Sequence, residues 1–320
     1  MNSNILLLVT IRHYYCLHIT SLWVFFQHPL MILMKKIVIS GATGFVGAHL
    51  SDFLSVRGYS IDRLGRYDLD LTDAELSERL NGVLAVINLA GAPIIKRWTK
   101  EYKEELYTSR IRTTQKIANA IRLTSTKPEV FISTSAVGIY KSKTQNTERA
   151  AQYDSSFLAK ICKDWEASAL TTLKITRTVI FRLGVVMSRE GGAMKNLLPI
   201  FRLGLGGPVS NGNQGFPWIH LDDLLHAYLY ILEHPETEGI FNLTAPEIIT
   251  NNQFTKSLAS AIKRPAIIPV SNFMLKMRYG EGAVALTEGA FVEPFRLNES
   301  GFKFRYPKIE DALKEIVQGQ

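Results

Sequence analysis

The stretch Lys36-Ile-Val-Ile-Ser-Gly-Ala-Thr-Gly-Phe-Val-Gly47 decides the fold of this chain. Its apolar, β-branched start predicts a short strand that is buried on both faces. The strand breaks at Gly41, and residues 45–57 then show the periodicity of a helix. A strand, a glycine turn and a helix N-terminus together make an anion site, because free N–H groups and the positive end of the helix dipole point to the same place.

The glycine spacing in this turn predicts a dinucleotide site. Gly41 permits the tight turn, Gly44 lets the backbone approach a pyrophosphate, and Gly47 lets the helix pack against the strand. The spacing is GxxGxxG, whereas the common fingerprint is GxGxxG, and a simple tight turn is the alternative interpretation. The cofactor-binding candidates in this stretch are Gly41, Thr43, Gly44, Phe45, Val46 and Gly47.

Arg66 favours NADP over NAD as the dinucleotide. It follows the predicted strand Ser60–Leu64, about 20 residues after the glycines, where the chain meets the adenosine ribose. An acidic residue there favours NAD, whereas an arginine accommodates the 2′-phosphate of NADP. Asp62 is nearby, but we expect it in the middle of the strand. The alternative is that Arg66 is a solvated turn residue.

Two further loops are expected at the carboxyl ends of strands, where ligands bind in such sheets. Asp70 and Leu71 end a predicted short strand over residues 67–71 and are candidate adenine contacts. A strand over residues 84–89 opens onto Asn88-Leu-Ala-Gly91, whose small residues let the backbone lie along a cofactor. Leu89, Ala90 and Gly91 are therefore cofactor-binding candidates as well.

Strands alternate with helices through the first half of the chain, which predicts an α/β fold with a doubly wound parallel sheet. Residues 34–190 form most of the expected NADP-binding domain, and part of 216–245 completes its sheet. Residues 191–215 and 246–320 are expected to form a smaller lobe for substrate. Within that lobe we predict helices over 193–203, Asn251–Ile262 with Asn251 at its cap, and 309–317, and short aromatic strands over 293–296 and 302–305.

The composition argues for an ordinary globular protein. The chain has 320 residues, of which 46% are hydrophobic and 21% charged. The net charge is +8, yet Lys and Arg are scattered and no RNA-binding signature is present, so no nucleic-acid partner is expected. Cys16 and Cys162 have neither metal-site nor disulfide-framework spacing, so we expect no metal and a cytoplasmic location. The oligomeric state stays open.

Residues 1–33 are unlike the rest of the chain. The run from His13 to Met34 carries no formal charge and is long enough to cross a bilayer. Met34-Lys35-Lys36 leads straight into the first strand, which leaves no linker between a membrane and a buried strand. We therefore expect the true start at Met34 or Met31 and no membrane association. An anchor or a targeting segment is the alternative.

Four motifs together resemble the extended short-chain dehydrogenase/reductase superfamily, and within it the NAD-dependent epimerase/dehydratase-like "epimerase family protein" sub-group. They are Gly41-Ala-Thr-Gly-Phe-Val-Gly47, Asn88-Leu-Ala-Gly91, Ser133-Thr-Ser135 and Trp218-Ile-His-Leu-Asp-Asp223. Further matches are Ser109-Arg110, Cys162-Lys-Asp-Trp-Glu166 and Gly301-Phe-Lys-Phe-Arg-Tyr-Pro307. The resemblance implies a Rossmann doubly wound parallel sheet, a smaller α+β C-terminal substrate lobe, and NADP(H), but no established substrate.

The superfamily's proton-transfer residues are only partly present. The resemblance implies a Ser that holds the substrate oxygen, a Tyr that transfers the proton, and a Lys four residues later. Ser135 matches the Ser, or is a strand-end residue that caps a turn. Leu158 and Cys162 stand where Tyr and Lys belong, and shifting the alignment by one residue also supplies neither group. Tyr140 is the remaining candidate acid, or else a buried Tyr with a satisfied hydroxyl.

Two functions fit these residues. The first is an NADP(H)-dependent oxidoreductase or epimerase-like enzyme acting on an unidentified small molecule, with Ser135 and Tyr140 at its site. The second is an NADP(H)-binding sensor or scaffold without turnover, which the missing Tyr and Lys suggest. His220, Asp222 and Asp223 are expected to fix a loop and cap the next helix, predicted over residues 224–233, and the alternative is a metal site or a His–Asp pair.

Overall fold

The computed structural model describes residues 35–319. The expectations for residues 1–33, for the start of the chain and for Cys16 lie outside this range and stay predictions. Within residues 35–319, no helix combines the length and the apolar character needed to cross a bilayer.

Eleven strands are described in this range. They are β1 (Lys36–Ser40), β2 (Ser60–Leu64), β3 (Ala85–Asn88), β4 (Val130–Ala136), β5 (Gln145–Asn146), β6 (Arg177–Leu183), β7 (Val185–Ser188), β8 (Gly191–Gly192), β9 (Trp218–His220), β10 (Gly239–Leu243) and β11 (Phe291–Val292). Six of them form one parallel sheet in the order β10-β6-β4-β3-β1-β2. The predicted doubly wound parallel sheet is therefore confirmed.

Helices lie on both faces of this sheet and continue into a helical C-terminal region. They are α1 (Phe45–Ser55), α2 (Asp73–Leu80), α3 (Lys100–Leu123), α4 (Phe157–Leu170), α5 (Met194–Arg202), α6 (Leu221–Glu233), α7 (Asn251–Ile262), α8 (Asn272–Tyr279), α9 (Val284–Thr287), α10 (Phe295–Glu299) and α11 (Ile309–Gln318).

β1 is the centre of the fold, as its sequence predicts. Ile37, Val38 and Ile39 are completely buried. Ile37 and Ile39 belong to the hydrophobic cluster on one face of the sheet with Leu50 of α1, whereas Val38 belongs to the cluster with Leu76 of α2. Each such side chain contributes about 1.5–3 kcal/mol by leaving water, so a polar substitution at either face would be severe.

The predicted strand over residues 67–71 is wrong. Tyr67–Leu69 forms a 3₁₀ turn that begins after Arg66. Asp68 accepts the backbone N–H of Gly65 at 2.6 Å, which turns the chain immediately after β2. β2 is consequently an edge strand of the sheet. A local hydrogen bond between a side chain and the backbone therefore takes the place of the hydrogen bonds that a strand would form with its neighbour.

Three expectations in the C-terminal region are wrong. Phe295–Glu299 is helical, and only Phe291–Val292 before it pairs as a strand, with Gln145–Asn146. Residues 302–305 form no strand, since the N–H of Arg305 goes to the Asp223 side chain instead of a neighbouring strand. The cap of α7 is Thr250, in a capping box with its N3 residue.

A second core packs the middle of the chain against the last helices. β7 pairs with β8 and β9 in a small sheet. Met187, Trp218, Phe254 and Leu313 are buried in one cluster, which joins this sheet to α7 and α11. The division of the chain at residues 190 and 246 stays a prediction.

Candidate functional site

The glycine turn after β1 depends on two of its three glycines. Gly41 has a φ of +76°, and a Cβ there would lie 2.7 Å from the carbonyl carbon of Leu89. A Cβ on Gly47 would lie 2.2 Å from the carbonyl oxygen of Gly41. The N–H of Gly44 donates to that same oxygen at 3.0 Å, while a Cβ on Gly44 would approach it at only 3.3 Å. Gly44 is therefore the position where the turn offers space to a ligand.

The N-terminus of α1 is open to an anion. Gly44 is the N-cap, no side chain caps the helix, and its first turn carries no acidic residue. The first N–H groups and the helix dipole consequently have no negative partner within the helix. Thr43 and Gly44 are exposed, whereas Phe45 and Val46 are half-buried. The Phe45 ring packs on β8, so closely that a Cβ on Gly191 would lie 2.3 Å from it.

The loop after β3 runs directly beside this turn. A Cβ on Gly41 would lie 2.8 Å from the backbone nitrogen of Ala90. Leu89 and Ala90 are half-buried and Gly91 is exposed. The Arg110 guanidinium of α3 fills the space next to Gly91, where a Cβ would lie 3.1 Å from its Cζ. Two of the predicted cofactor segments are thus in contact with each other.

The end of β2 presents an exposed arginine. Arg66 begins the 3₁₀ turn, and within residues 35–319 it forms no ion pair. Asp70, which is exposed, and Leu71, which is half-buried, follow it. The three candidates therefore lie along one short segment at the carboxyl end of β2, the sheet edge that binds ligands in this kind of fold.

Two acidic residues near Arg66, Asp62 and Asp68, are already paired. The Asp62 carboxylate accepts from Nε of Arg79 at 3.0 Å and lies 2.8 Å from Nζ of Lys36. The bond from Arg79 is the main reason that the pKa of Asp62 falls to about 2. Asp68 also pairs with Arg79. Neither carboxylate is left to accept the hydroxyls of a ribose.

A polar layer crosses three neighbouring strands at the expected reacting end. Ser135 of β4 and Asn242 of β10 flank Arg182 of β6 in register. Glu166 of α4 faces them, and its carboxylate accepts from Ser135 Oγ at 2.8 Å and from Arg182 Nη2 at 2.7 Å. Since these side chains are buried, the layer is a rigid support whose polar groups satisfy one another.

Tyr140 belongs to this layer. Its hydroxyl donates to Asn242 Oδ1 at 2.6 Å and accepts from Arg182 Nη1 at 2.8 Å. The side chain is 3% exposed, and burial raises its pKa to about 12. The phenol is therefore protonated at neutral pH, and its proton points at Asn242. The role of Tyr140 as an acid stays a prediction.

Helix α4 presents no phenol and no ammonium at the positions where the superfamily has them. Leu158 is half-buried, and Cys162 is buried beside Ser135. Burial raises the pKa of the Cys162 thiol to about 12, although the hydrogen bond to Ser135 and the charge of Arg110 oppose this. A thiol supplies no cation in any protonation state, and because this thiol stays neutral it is not a nucleophile at physiological pH either.

Arg110 belongs to the Ser109-Arg110 match in the sequence, but the sequence alone assigned it no role. Its Nη1 donates to the carbonyl of Leu106 at 3.1 Å and its Nη2 to that of Ala92 at 2.8 Å. Its Cζ lies 5.4 Å from the centroid of the Trp165 ring. Burial lowers the pKa of Arg110, and it has no carboxylate partner within residues 35–319. The sequence signal that could have identified it is an arginine at a position on the inward face of a predicted helix.

The Glu166–Arg182 pair was also missed, because nothing in the sequence links α4 to β6. The predicted capping is confirmed for His220, whereas the helix begins at Leu221, so that Asp222 and Asp223 lie within its first turn. His220 Nδ1 accepts the N–H of Asp222 at 3.2 Å and caps α6. Asp223 accepts the N–H groups of Arg305 at 2.6 Å and of Tyr306 at 2.9 Å. Among the residues that the structure describes, no group of His, Cys, Asp and Glu is arranged to hold a metal ion.

Comparison with known protein families gives two matches along the chain. The model described as the NAD dependent epimerase/dehydratase family matches residues 37–244. A second, described as a domain of unknown function (DUF1731), matches residues 270–316.

Among curated relatives, the chain is 37% identical over 298 residues to an epimerase family protein SDR39U1 homolog, chloroplastic, of Arabidopsis thaliana, covering 88% of this chain and 86% of that protein. It is 36% identical over 291 residues to the epimerase family protein SDR39U1 of Mus musculus, covering 88% and 99%.

Solved structures show the same likeness. Human epimerase family protein SDR39U1 (isoform 2) with NADPH aligns with a TM-score of 0.83 and 34% identity, covering 89% of this chain and all of that chain. A nucleoside-diphosphate sugar epimerase from Corynebacterium glutamicum aligns with a TM-score of 0.72 and 25% identity, covering 90% of this chain and 59% of that chain. The chain belongs to the NAD dependent epimerase/dehydratase family.

Proposed function

We propose that the protein is an NADP(H)-dependent oxidoreductase that acts on a small carbonyl or alcohol compound. The observation that carries the proposal is the end of β2, where Arg66 is exposed and unpaired within residues 35–319 while Asp62 and Asp68 are committed to Arg79. For a ribose with two free hydroxyls those two carboxylates are occupied, and Asp70, further along the segment, is an exposed acidic residue. A 2′-phosphate would find a guanidinium.

The glycine turn supports the other half of this cofactor. Gly44 and the uncapped N-terminus of α1 offer N–H groups and a positive dipole to a pyrophosphate. Leu89, Ala90 and Gly91 continue the same surface toward the reacting end. The human relative whose structure contains NADPH supports NADP(H) as well, since it aligns over its whole length.

The bound nicotinamide would supply a hydride, and the chain's own residues would position the substrate. Ser135, at the end of β4, is our candidate for orienting the substrate oxygen, and Tyr140 is the candidate acid nearby. The hydroxyls of both are held by hydrogen bonds, to Glu166 and to Asn242 respectively. Turnover would require at least one of these bonds to be exchanged for a bond to substrate.

The lobe formed by residues 191–215 and 246–320 is our candidate for the cover of the substrate site. We also propose a cytoplasmic location, on the ground that Cys162, the cysteine within residues 35–319, is free. A plant relative is described as chloroplastic, so localisation of a tagged protein is the direct test.

Calorimetry with NADPH and NADH tests the cofactor proposal. We expect NADPH to bind more tightly, and Arg66→Gln to weaken NADPH binding by about tenfold without changing NADH binding, because a charge-assisted bond to phosphate is lost. Arg63→Gln is the matched control, since Arg63 is exposed on β2, shortly before Arg66, and faces Asp52 at 3.4 Å. An unchanged preference in Arg66→Gln would remove the claim for NADP.

Turnover is tested separately by following NADPH oxidation against a panel of small carbonyl compounds. We expect at least one of them to be reduced above the background rate. Tight NADPH binding without any oxidation would instead favour a protein that binds the cofactor without turnover, and no heat with either nucleotide would overturn the whole proposal.

A further inference from the structure

Arg110 is a half-buried cation whose donors are not all used. A guanidinium has five N–H donors, and the structure shows two of them bound, to the carbonyls of Leu106 and Ala92. Within residues 35–319 no carboxylate lies within 4 Å of it, whereas the buried Arg182 has Glu166 at 2.7 Å. Removing a guanidinium from water without an anion is unfavourable. Arg110 therefore has both the free donors and the uncompensated charge that a negatively charged partner would bind.

A second half-buried arginine, Arg177, shows what a purely structural role looks like. Arg177 also lacks a carboxylate partner, but it donates to the carbonyls of Ile231, His234 and Thr237 at the end of α6. It lies at the start of β6, at the edge of the sheet opposite to the ligand-binding one. Arg110 differs in both respects, because it has spare donors and lies next to Gly91.

Arg110 lies on α3, which packs against the helix that lacks the expected ammonium group. Cys162 occupies the place where the superfamily resemblance puts a Lys, and it is neutral. Arg110 is close enough to act on the Cys162 thiol, which in turn touches Ser135. Arg110 is therefore a cation on a neighbouring helix whose charge acts on this thiol.

We propose that Arg110 binds a carboxylate group of the substrate. The inference rests on the proposed function, and it names the substrates as carbonyl or alcohol compounds that carry a carboxylate. The guanidinium lies next to the backbone at Gly91 and 5.4 Å from the centroid of the Trp165 ring, so its neighbours on both sides fix the direction of the planar fork. A planar fork pairs with a planar carboxylate through two parallel hydrogen bonds.

Calorimetric titration with acetate and oxamate tests the site, with neutral acetamide as the control ligand. Each is added to the full protein with and without saturating NADPH, at constant ionic strength. We expect the carboxylates to bind the NADPH-loaded protein and acetamide not to bind. Arg110→Gln should weaken carboxylate binding by about tenfold or more and leave NADPH binding unchanged.

Two further variants separate this role from others. Arg110→Lys keeps the charge but not the fork, so it should retain part of the affinity. Arg112→Gln, on the exposed face of the same helix, should bind carboxylates as the unaltered protein does. These two variants also keep the test valid if Arg110→Gln folds poorly.

Several results would overturn the proposal. One is carboxylate binding that is equal in Arg110→Gln and the unaltered protein, and another is no carboxylate binding to a protein that does bind NADPH. A third is a loss of NADPH affinity in Arg110→Gln, which would make a phosphate of the cofactor the partner. Failure of NADPH to bind at all would instead count against the proposed function, and the titration without NADPH would still decide the carboxylate site.

Discussion

The Arg182 guanidinium and the Glu166 carboxylate form a two-bond ion pair between β6 and α4, with 2% and 6% of their side chains exposed. The same carboxylate accepts the Ser135 hydroxyl, and the same guanidinium donates to Tyr140. The pair therefore fixes both residues that we assign to the reacting end.

We expect Glu166→Gln to lower the free energy of unfolding by about 3–5 kcal/mol, because it leaves a buried guanidinium without its counter-charge. Lys160→Ala is the control on the same helix. It removes an exposed pair with Asp164 and should reduce stability by only about 0.5 kcal/mol. Urea unfolding of both variants gives the comparison, and equal losses would contradict the importance of the buried pair.

Gly44 and Gly47 should respond differently to the same substitution. Gly47→Ala should lower the free energy of unfolding by about 3 kcal/mol or more, because its Cβ would lie 2.2 Å from a carbonyl oxygen. Gly44→Ala meets one atom at 3.3 Å and should fold nearly normally. It should nevertheless bind NADPH more weakly, since the new methyl group covers the helix N-terminus. Chemical unfolding and calorimetry on each variant are the measurements, and normal NADPH affinity in Gly44→Ala would remove the pyrophosphate from this turn.

Asp62 should make stability depend on acid pH. Its pKa is about 2 in the folded protein against 3.8 for the free group, so its ionised pairing stabilises the fold fully above about pH 4. That contribution, about 2 kcal/mol, should disappear as the pH falls from about 4 to about 2. The difference in unfolding free energy between the unaltered protein and Asp62→Asn should shrink over this window. Asp52→Asn, which removes one carboxylate from an exposed pair, is the control for the loss of a surface charge.

Ser135→Ala and Tyr140→Phe test the candidate reacting groups once a substrate is found. If Tyr140 donates the proton, Tyr140→Phe should lower kcat by about 10²-fold or more while KM changes little. Because the pKa of Tyr140 is about 12, activity of the unaltered enzyme should not fall through its ionisation at neutral pH.

Thr134→Val is the matched control for these two variants. Thr134 is on the same strand as Ser135, and its hydroxyl contacts Tyr228 of α6, on the opposite face of the sheet. It should lose some stability and keep its kcat. Full activity in Ser135→Ala would exclude that residue from the site.

The sequence predicted most of the sheet and its helices because the signals there are local. β1 is a short apolar run before a glycine, and α2 begins with Thr72 and Glu75 in a reciprocal capping box. The prediction of a strand over residues 67–71 was wrong because the apolar pattern there resembles that of a strand. The hydrogen bond that decides the structure, from the Gly65 N–H to the Asp68 carboxylate, is specific to the turn.

The candidate site was only half accessible to sequence reasoning. The glycine turn is contiguous, so its spacing could be read directly. The polar layer is not contiguous, because Ser135, Glu166 and Arg182 come from three separate elements that meet only after the sheet has formed. Arg110 reaches Gly91 from another helix in the same way. Tertiary proximity of this kind leaves no periodicity in the sequence.

Asp223 has a consequence for anyone who shortens or tags the protein. Its carboxylate is completely buried, burial raises its pKa, and it depends on the backbone N–H groups of Arg305 and Tyr306 for hydrogen bonds. Deleting the tail from residue 305 onward would strand this acid among apolar neighbours, far upstream of the cut. The last fifteen or so residues thus cover the first turn of α6 and supply the hydrogen bonds that Asp223 needs. A fusion partner would be better tolerated beyond Gly319 than in place of these residues.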